Sequence, residues 1–205
     1  VTRAFDQFLD IKLQSATSSY SFARSKSEVF DQLETTLIPQ NATVGTRLRE
    51  FFDGLSNLAK DPDDSNLRRL ALAGANALST SVSGLHTGLT DLRTVTHGTL
   101  ELTAADFNST LKNLSHVQQE ILGNSVKSGA PHALLDQRDR LLEKLSEIGD
   151  ISVDYEANGS VKVALGKHGA VGTLLEGTAF NEITVKPGMD GIQTFVKDNF
   201  GVGSN

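Results

Sequence analysis

Apolar side chains recur every three or four residues along positions 1–150 and every second residue along 151–205. The first spacing belongs to helices and the second to half-buried strands. The best-marked helix is Pro131 to Gly149. There Leu134, Leu135, Arg138, Leu141, Leu142, Leu145 and Ile148 fall on one face of a 3.6-residue period, with Pro131 at its start and Gly149 just past its last apolar residue. Gly149 is expected to end the helix in the left-handed conformation, and Asp136 stands four residues before Arg140, in the favourable order for an ion pair. Arg138 lies on the apolar stripe, so it needs a carboxylate or a carbonyl from a neighbouring helix.

Upstream, Phe5, Phe8, Leu9, Leu13, Ala16, Tyr20, Ala23, Phe30, Leu33 and Leu37 predict a helix over about 3–37, weakest at Ser15–Ser21, where hydroxyls compete for the backbone, and closed by Pro39. A shorter helix is predicted over Thr43–Ala59, followed by an acidic turn at Lys60–Asp64 in which Asp64 or Ser65 caps the next helix. That next helix runs from about Ser65 to Leu122 without a proline. Its predicted seam is Leu78, Val82, Leu85, Leu89, Leu92, Thr96 and Thr99, resuming at Phe107, Leu111, Leu114, Val117 and Ile121, with Gly88 and Gly98 as places to bend. A rod of that length, roughly 85 Å, must pack along other rods. Gly123–Ala130 reads as the turn that sends the Pro131 helix back antiparallel.

After Gly149 the alternation in Ile151–Tyr155 and Val161–Leu165 predicts two strands joined by a two-residue Asn158-Gly159 turn, with further strands at 170–175, 183–186 and 192–196. The expected architecture is α+β, an elongated antiparallel helical bundle over 1–150 and a small antiparallel β domain over 151–205. The β domain is expected to be incomplete at Gly201–Asn205, and the bundle is expected to need a further helix from downstream.

The net charge of −6 and pI near 5.3, with no clustered Lys or Arg, argue against a nucleic acid or an anionic membrane as partner. The absence of cysteine excludes thiol catalysis, disulfides and thiolate metal sites. No apolar run reaches the roughly 18 residues of a membrane span. His86, His97, His116, His132 and His168 lack metal-ligand spacing; His86 and His97 share a helix face but sit roughly 16 Å apart along its axis. Asp61, Asp63 and Ser65 imitate the start of a calcium loop, yet Asn66 and Leu72 occupy the positions that require Gly and Glu. Gly166, Gly169 and Gly172 lack the Lys-Ser/Thr pair of a phosphate loop and read better as hairpin turns. Asp136, Asp139 and Glu143 stand among Arg138, Arg140 and Lys144 as an ion-paired helix face, and the sequons at Asn41, Asn108, Asn113 and Asn158 are weak patterns. No catalytic, cofactor-binding or metal-binding residue is assigned.

Leu134-Leu135-Asp136-Gln137-Arg138-Asp139-Arg140-Leu141-Leu142, followed by the alternating strands, resembles the Leu-Leu-Asp-Gln-Arg-Asp region of the first flagellar hook-associated protein family, the hook-filament junction proteins. Phe5-Asp6-Gln7-Phe8-Leu9, Leu48-Arg49-Glu50-Phe51-Phe52-Asp53-Gly54-Leu55 and Asp61-Pro62 fit the same family, so the likeness covers about residues 3–165. The family's late Leu-Asn phrase is replaced by Val117-Gln118, and its Gly-Gly turn by Gly166-Lys167-His168-Gly169, while Phe107-Asn108 keeps part of an Asn-Leu phrase. The resemblance implies a non-enzymatic, extracellular part of the bacterial flagellum, secreted through the flagellar export channel, without the family's terminal segments. It implies self-association in a ring or helical assembly, the hook protein and an adjacent hook-associated protein as partners, and an export apparatus and chaperone met through those absent segments. Flagellin or the second junction protein is the nearer alternative; a ligand-sensing or adaptor module on a helical stalk is the more distant one. Arg138 is expected to hold the junction between rod and β domain.

Overall fold

A computed structural model describes residues 2–38, 43–125, 131–166, 171–188 and 191–196. Four helices precede six strands: α1 (Thr2–Leu37), α2 (Val44–Lys60), α3 (Ser65–Ser125), α4 (His132–Ile148), β1 (Ile151–Tyr155), β2 (Val161–Leu165), β3 (Gly172–Glu176), β4 (Ala179–Phe180), β5 (Ile183–Gly188) and β6 (Gly191–Val196). The fold is therefore α+β, as the two periods require. Pro39, Asn41, most of the turn after Gly123, His168, Gly169 and the segment Gly201–Asn205 lie outside the described residues.

The chain divides into two compact units, one of residues 26–96 and the other of residues 1–25 with 97–205. In the first, α2 starts at Thr43, whose hydroxyl accepts from Thr46 N at 3.2 Å, and α3 starts behind Asp64, whose carboxylate accepts from Asn66 N at 2.6 Å. Each side chain satisfies an amide that a helix start leaves without a partner. The two helices approach through small residues: a Cβ on Gly54 would lie 3.5 Å from the Ala71 backbone, and one on Gly74 would lie 3.4 Å from that of Phe51.

This approach corrects the expected seam. The half-buried stripe of α3 in this unit is Leu67, Ala71, Gly74, Leu78, Ser81, Leu85, Gly88 and Leu92, whereas Val82 and Leu89 are exposed. Both readings share Leu78, Leu85 and Leu92. At every second position, however, the smaller neighbour, Ser81 or Gly88, is the half-buried one, and the branched side chain beside it is exposed. Gly88 faces the Thr36 methyl, which would stand 3.0 Å from an added Cβ.

In the other unit the end of α3 and α4 form one layer and the strands a second. Phe107, Leu111 and Leu114 of α3 meet Leu142 and Leu145 of α4 against Ile151, Val153, Val161, Val163, Leu174, Leu175 and Ile183. Val117 and Ile121 meet Leu135. Because the early α4 residue pairs with the late α3 residues and the late ones with the early, the two helices run antiparallel, as expected. β1 to β4 form an antiparallel sheet in sequential order, and β5 and β6 form a separate antiparallel pair. A register shift between Val163 and Ala164 lets consecutive residues Leu174 and Leu175 of the partner strand both be buried.

The helix predicted over about 3–37 is continuous through its weak stretch Ser15–Ser21, where Ser18 is buried one turn after buried Gln14, so tertiary contact overrides low propensity. Two local expectations differ. Gly149 is extended, with φ −143°, not left-handed; a Cβ there would sit 3.2 Å from the Phe107 ring, a tight approach that glycine avoids. The β1–β2 connection is not a two-residue turn but the five residues Glu156–Ser160, in which Glu156 N donates to Ser160 O at 2.9 Å, Gly159 N donates to Glu156 O at 3.0 Å and Gly159 takes φ +88°.

Candidate functional site

Four polar side chains of α3 and α4, those of Asn108, Ser115, Gln118 and Arg138, stand in or beside apolar stripes and reach backbone of the strands or of the turns between them. Gln118, fully buried, sits four residues after Leu114 and three before Ile121. Its Oε1 accepts from Val161 N at 2.9 Å, and its Nε2 donates to Val161 O at 2.8 Å and also to Gly177 O. Continuing the Val163–Leu175 register would pair Val161 with Gly177, so the amide stands where the β2–β3 ladder has run out. Asn108 repeats the device on β5, accepting from Ile183 N and donating to Ile183 O, both near 2.8–2.9 Å. Ser115 Oγ donates to Thr178 O at 2.6 Å in the β3–β4 turn.

Arg138, 4% exposed, is the corresponding group on α4. Its Nη1 donates to Gly159 O at 2.7 Å, its Nε and Nη2 meet Asp139 Oδ1 at 2.8 and 2.6 Å, and its guanidinium lies 4.9 Å from the Tyr155 ring centre. The carbonyl it requires thus comes from the β1–β2 loop, and the carboxylate from its own helix. Burial, with a smaller contribution from Asp139, pushes the Tyr155 phenol above its ordinary range, against the hydrogen bond from Gln14 and the Arg138 charge.

The sequence motif therefore separates by role. Leu135 and Leu142 are core, Leu134 is half-buried against it, Arg138 and Asp139 form the clamp, and Asp136 and Gln137 are exposed. Asp136, Asp139, Arg140 and Glu143 line an open groove of about 290 Å³ with Asp10, Leu13 and Gln14 of α1. Phe51 and Phe52 belong to the other unit. Their rings lie 5.6 Å apart, with Phe51 half-buried toward Gly74 and Phe52 58% exposed beside the exposed Leu48 and Leu55. Sequence reasoning missed the roles of Asn108, Ser115 and Gln118; the signal available for Gln118 was the one that singled out Arg138, a polar residue inside an apolar stripe.

α1 is inverted in the unit it shares with the strands. The side turned inward is polar: Gln14 donates to the Tyr155 hydroxyl at 3.4 Å, and Ser18 lies 3.4–3.5 Å from Gly149 O and the Asp150 carboxylate. The side turned outward carries Leu9, Leu13, Ala16, Tyr20 and Ala23, alternating steps of four and three, with Leu13 55% and Tyr20 68% exposed. That spacing is the four-three step of a coiled-coil seam, held over two heptads. Among the described residues no helix is long and apolar enough to cross a membrane, and no group of three acidic or histidine side chains is arranged to hold a metal ion.

A family model described as the flagellar hook-associated protein FlgK helical domain matches residues 30–200. Flagellar hook-associated protein 1 of Bacillus subtilis is 26% identical over 165 residues, 80% of this chain and 32% of that protein. The protein of the same name from Salmonella typhimurium is 23% identical over 189 residues, 91% of this chain and 34% of that one. The solved structure of the flagellar hook junction protein FlgK from Burkholderia pseudomallei shares the fold, with a TM-score of 0.79 at 23% identity over 90% of this chain and 33% of that one. The chain spans about a third of the length of these relatives.

Proposed function

Because the chain belongs to the family of the FlgK helical domain, we propose that it is a structural segment of the bacterial flagellum. In this reading it serves the junction of hook and filament, works by helix packing between and within subunits, and performs no catalysis. The observation that carries the reading is the inverted α1, whose polar side faces its own unit while a heptad seam from Leu9 to Ala23 faces outward. A helix arranged in that way is built to be covered by another helix. The exposed Val82, Leu89, Val95 and Leu102 of α3 and Leu48, Phe52 and Leu55 of α2 supply further apolar surface for neighbouring subunits, hook protein or an adjacent hook-associated protein. The polar clamps of Gln118, Asn108 and Arg138 fix the strands to the rod, so that the β part is carried on the helical wall. As part of an extracellular appendage, the protein reaches its place through the flagellar export channel.

The test is genetic. Loss of the gene should leave hooks with short or absent filaments and filament protein shed into the medium, and the intact gene should restore them. A Leu13→Glu/Tyr20→Glu protein should accumulate outside the cell yet fail to restore filaments. Normal filaments in the deletion strain would refute the junction role. Full rescue by the double variant would refute the role of the α1 seam, and full rescue by charge reversal at exposed positions between Ser81 and Thr103 would refute that of α3.

A further inference from the structure

Asn158 and Gly159 stand at the tip of the β1–β2 loop, and they hold a reactive pair of atoms as well as a turn. When glycine follows asparagine, the next backbone nitrogen has no side chain to shield it from the asparagine amide. Gly159 N can bond to Asn158 Cγ while the side-chain nitrogen departs, with the Gly159 proton, as ammonia. The five-membered succinimide that results is opened by water at either carbonyl, giving aspartate or isoaspartate. Water is the only co-reactant.

The folded loop opposes the first step by engaging the nucleophile and by fixing the amide's orientation, which outweighs the polarisation that donors to Oδ1 bring. Gly159 N–H is committed to Glu156 O at 3.0 Å, so the nitrogen points its proton at a carbonyl. Asn158 Oδ1 accepts from Ser160 N at 2.9 Å and lies 2.7 Å from Ser160 Oγ, which turns the amide toward residue 160. Ser160 Oγ also lies 2.7 Å from Glu156 Oε2. Beneath the loop, Arg138 Nη1 holds Gly159 O at 2.7 Å. We propose that Asn158-Gly159 is a latent modification site, a succinimide-forming pair kept unreactive by this loop and the guanidinium under it. Opening the loop then sets the rate, and the product undoes the clamp: isoaspartate adds a methylene to the main chain next to Gly159 and moves its carbonyl off Arg138.

The experiment incubates the chain in mildly alkaline buffer, native and in urea. Peptide mapping by mass spectrometry follows the amide-to-acid mass gain at position 158, and an isoaspartate methyltransferase assay follows the rearranged product. Reaction through local opening predicts a native rate about tenfold or more below the urea rate. Ser160→Ala should raise the native rate severalfold and leave the urea rate unchanged, and Arg138→Lys, which keeps a buried cation but loses the forked contact, should act in the same direction. Equal rates in native buffer and urea, or a native rate indifferent to both substitutions in protein that remains folded, would overturn the proposal.

Discussion

Replacing Gln118 by leucine removes one amide and leaves a side chain of similar volume, so the cost lies in hydrogen bonding and not in a cavity. Three backbone groups lose their partner at once: Val161 N and Val161 O of β2, and Gly177 O of the β3–β4 turn. Gln118 is fully buried and Val161 is nearly so, which denies water to the amide and carbonyl left behind. A buried, unsatisfied backbone group costs about 1–3 kcal/mol, and relaxation recovers part of the total, so the loss should be about 2–4 kcal/mol. At about 2–4 °C per kcal/mol for a chain of this size, the melting temperature should fall by roughly 5–15 °C. Far-UV circular dichroism on heating measures the fall, and hydrogen exchange locates it: the Val161 amide should lose protection ahead of its neighbours in β2. Gln118→Asn keeps the chemistry but shortens the arm by a methylene, so it should lose most of the same stability. A leucine variant that melts within about one degree of the parent, with Val161 still protected, would refute the idea that this side chain completes the ladder.

Arg138→Leu should destabilise by about 1–3 kcal/mol, because Gly159 O loses its donor and Tyr155 its cation, with Arg138→Lys intermediate; urea unfolding measures both, and an unchanged midpoint would refute the clamp. Gly98→Ala should stabilise by about 0.5–1 kcal/mol, since nothing lies near the added methyl, whereas Gly88→Ala should gain less because of the Thr36 methyl, an order that paired thermal melts would test. Tyr155 has a folded-state pKa above that of the unfolded chain, so its contribution is complete below the ordinary phenol pKa and is lost as pH rises through the folded value. Tyr155→Phe should flatten that alkaline decline, and an identical decline in both proteins would remove it.

What could be read in advance followed from local repetition. Helix α4 was delimited by Pro131 and Gly149, and the hydrophobic periods separated helices from strands at about residue 150. Phase was harder to read. Val82 and Leu89 are the more apolar candidates for the α3 seam, yet Ser81 and Gly88 are the half-buried ones, and at Gly88 the room is limited by the Thr36 methyl, a contact that side-chain hydrophobicity along α3 does not encode. Gly149 shows the same limit: its place at the helix end was legible, but its extended backbone and close approach to the ring of Phe107, forty-two positions away, were not. Gln118 and Asn108 could be flagged as polar groups near apolar stripes. Which strand atoms they meet depends on pairings among β2, β3 and β5 that no helix-spacing argument contains. The extra short strand β4 was invisible for want of length.

The inverted α1 has a thermodynamic corollary. In the proposed assembly, a partner helix over Leu9, Leu13 and Tyr20 adds an apolar contact to a helix whose Gln14 and Ser18 bonds, near 3.4 Å, are long. Assembly at that seam should therefore resemble folding in the calorimeter, with a large negative heat-capacity change from the apolar area withdrawn from water. The exchange protection that α1 gains would then measure the joint between helices and not the monomer.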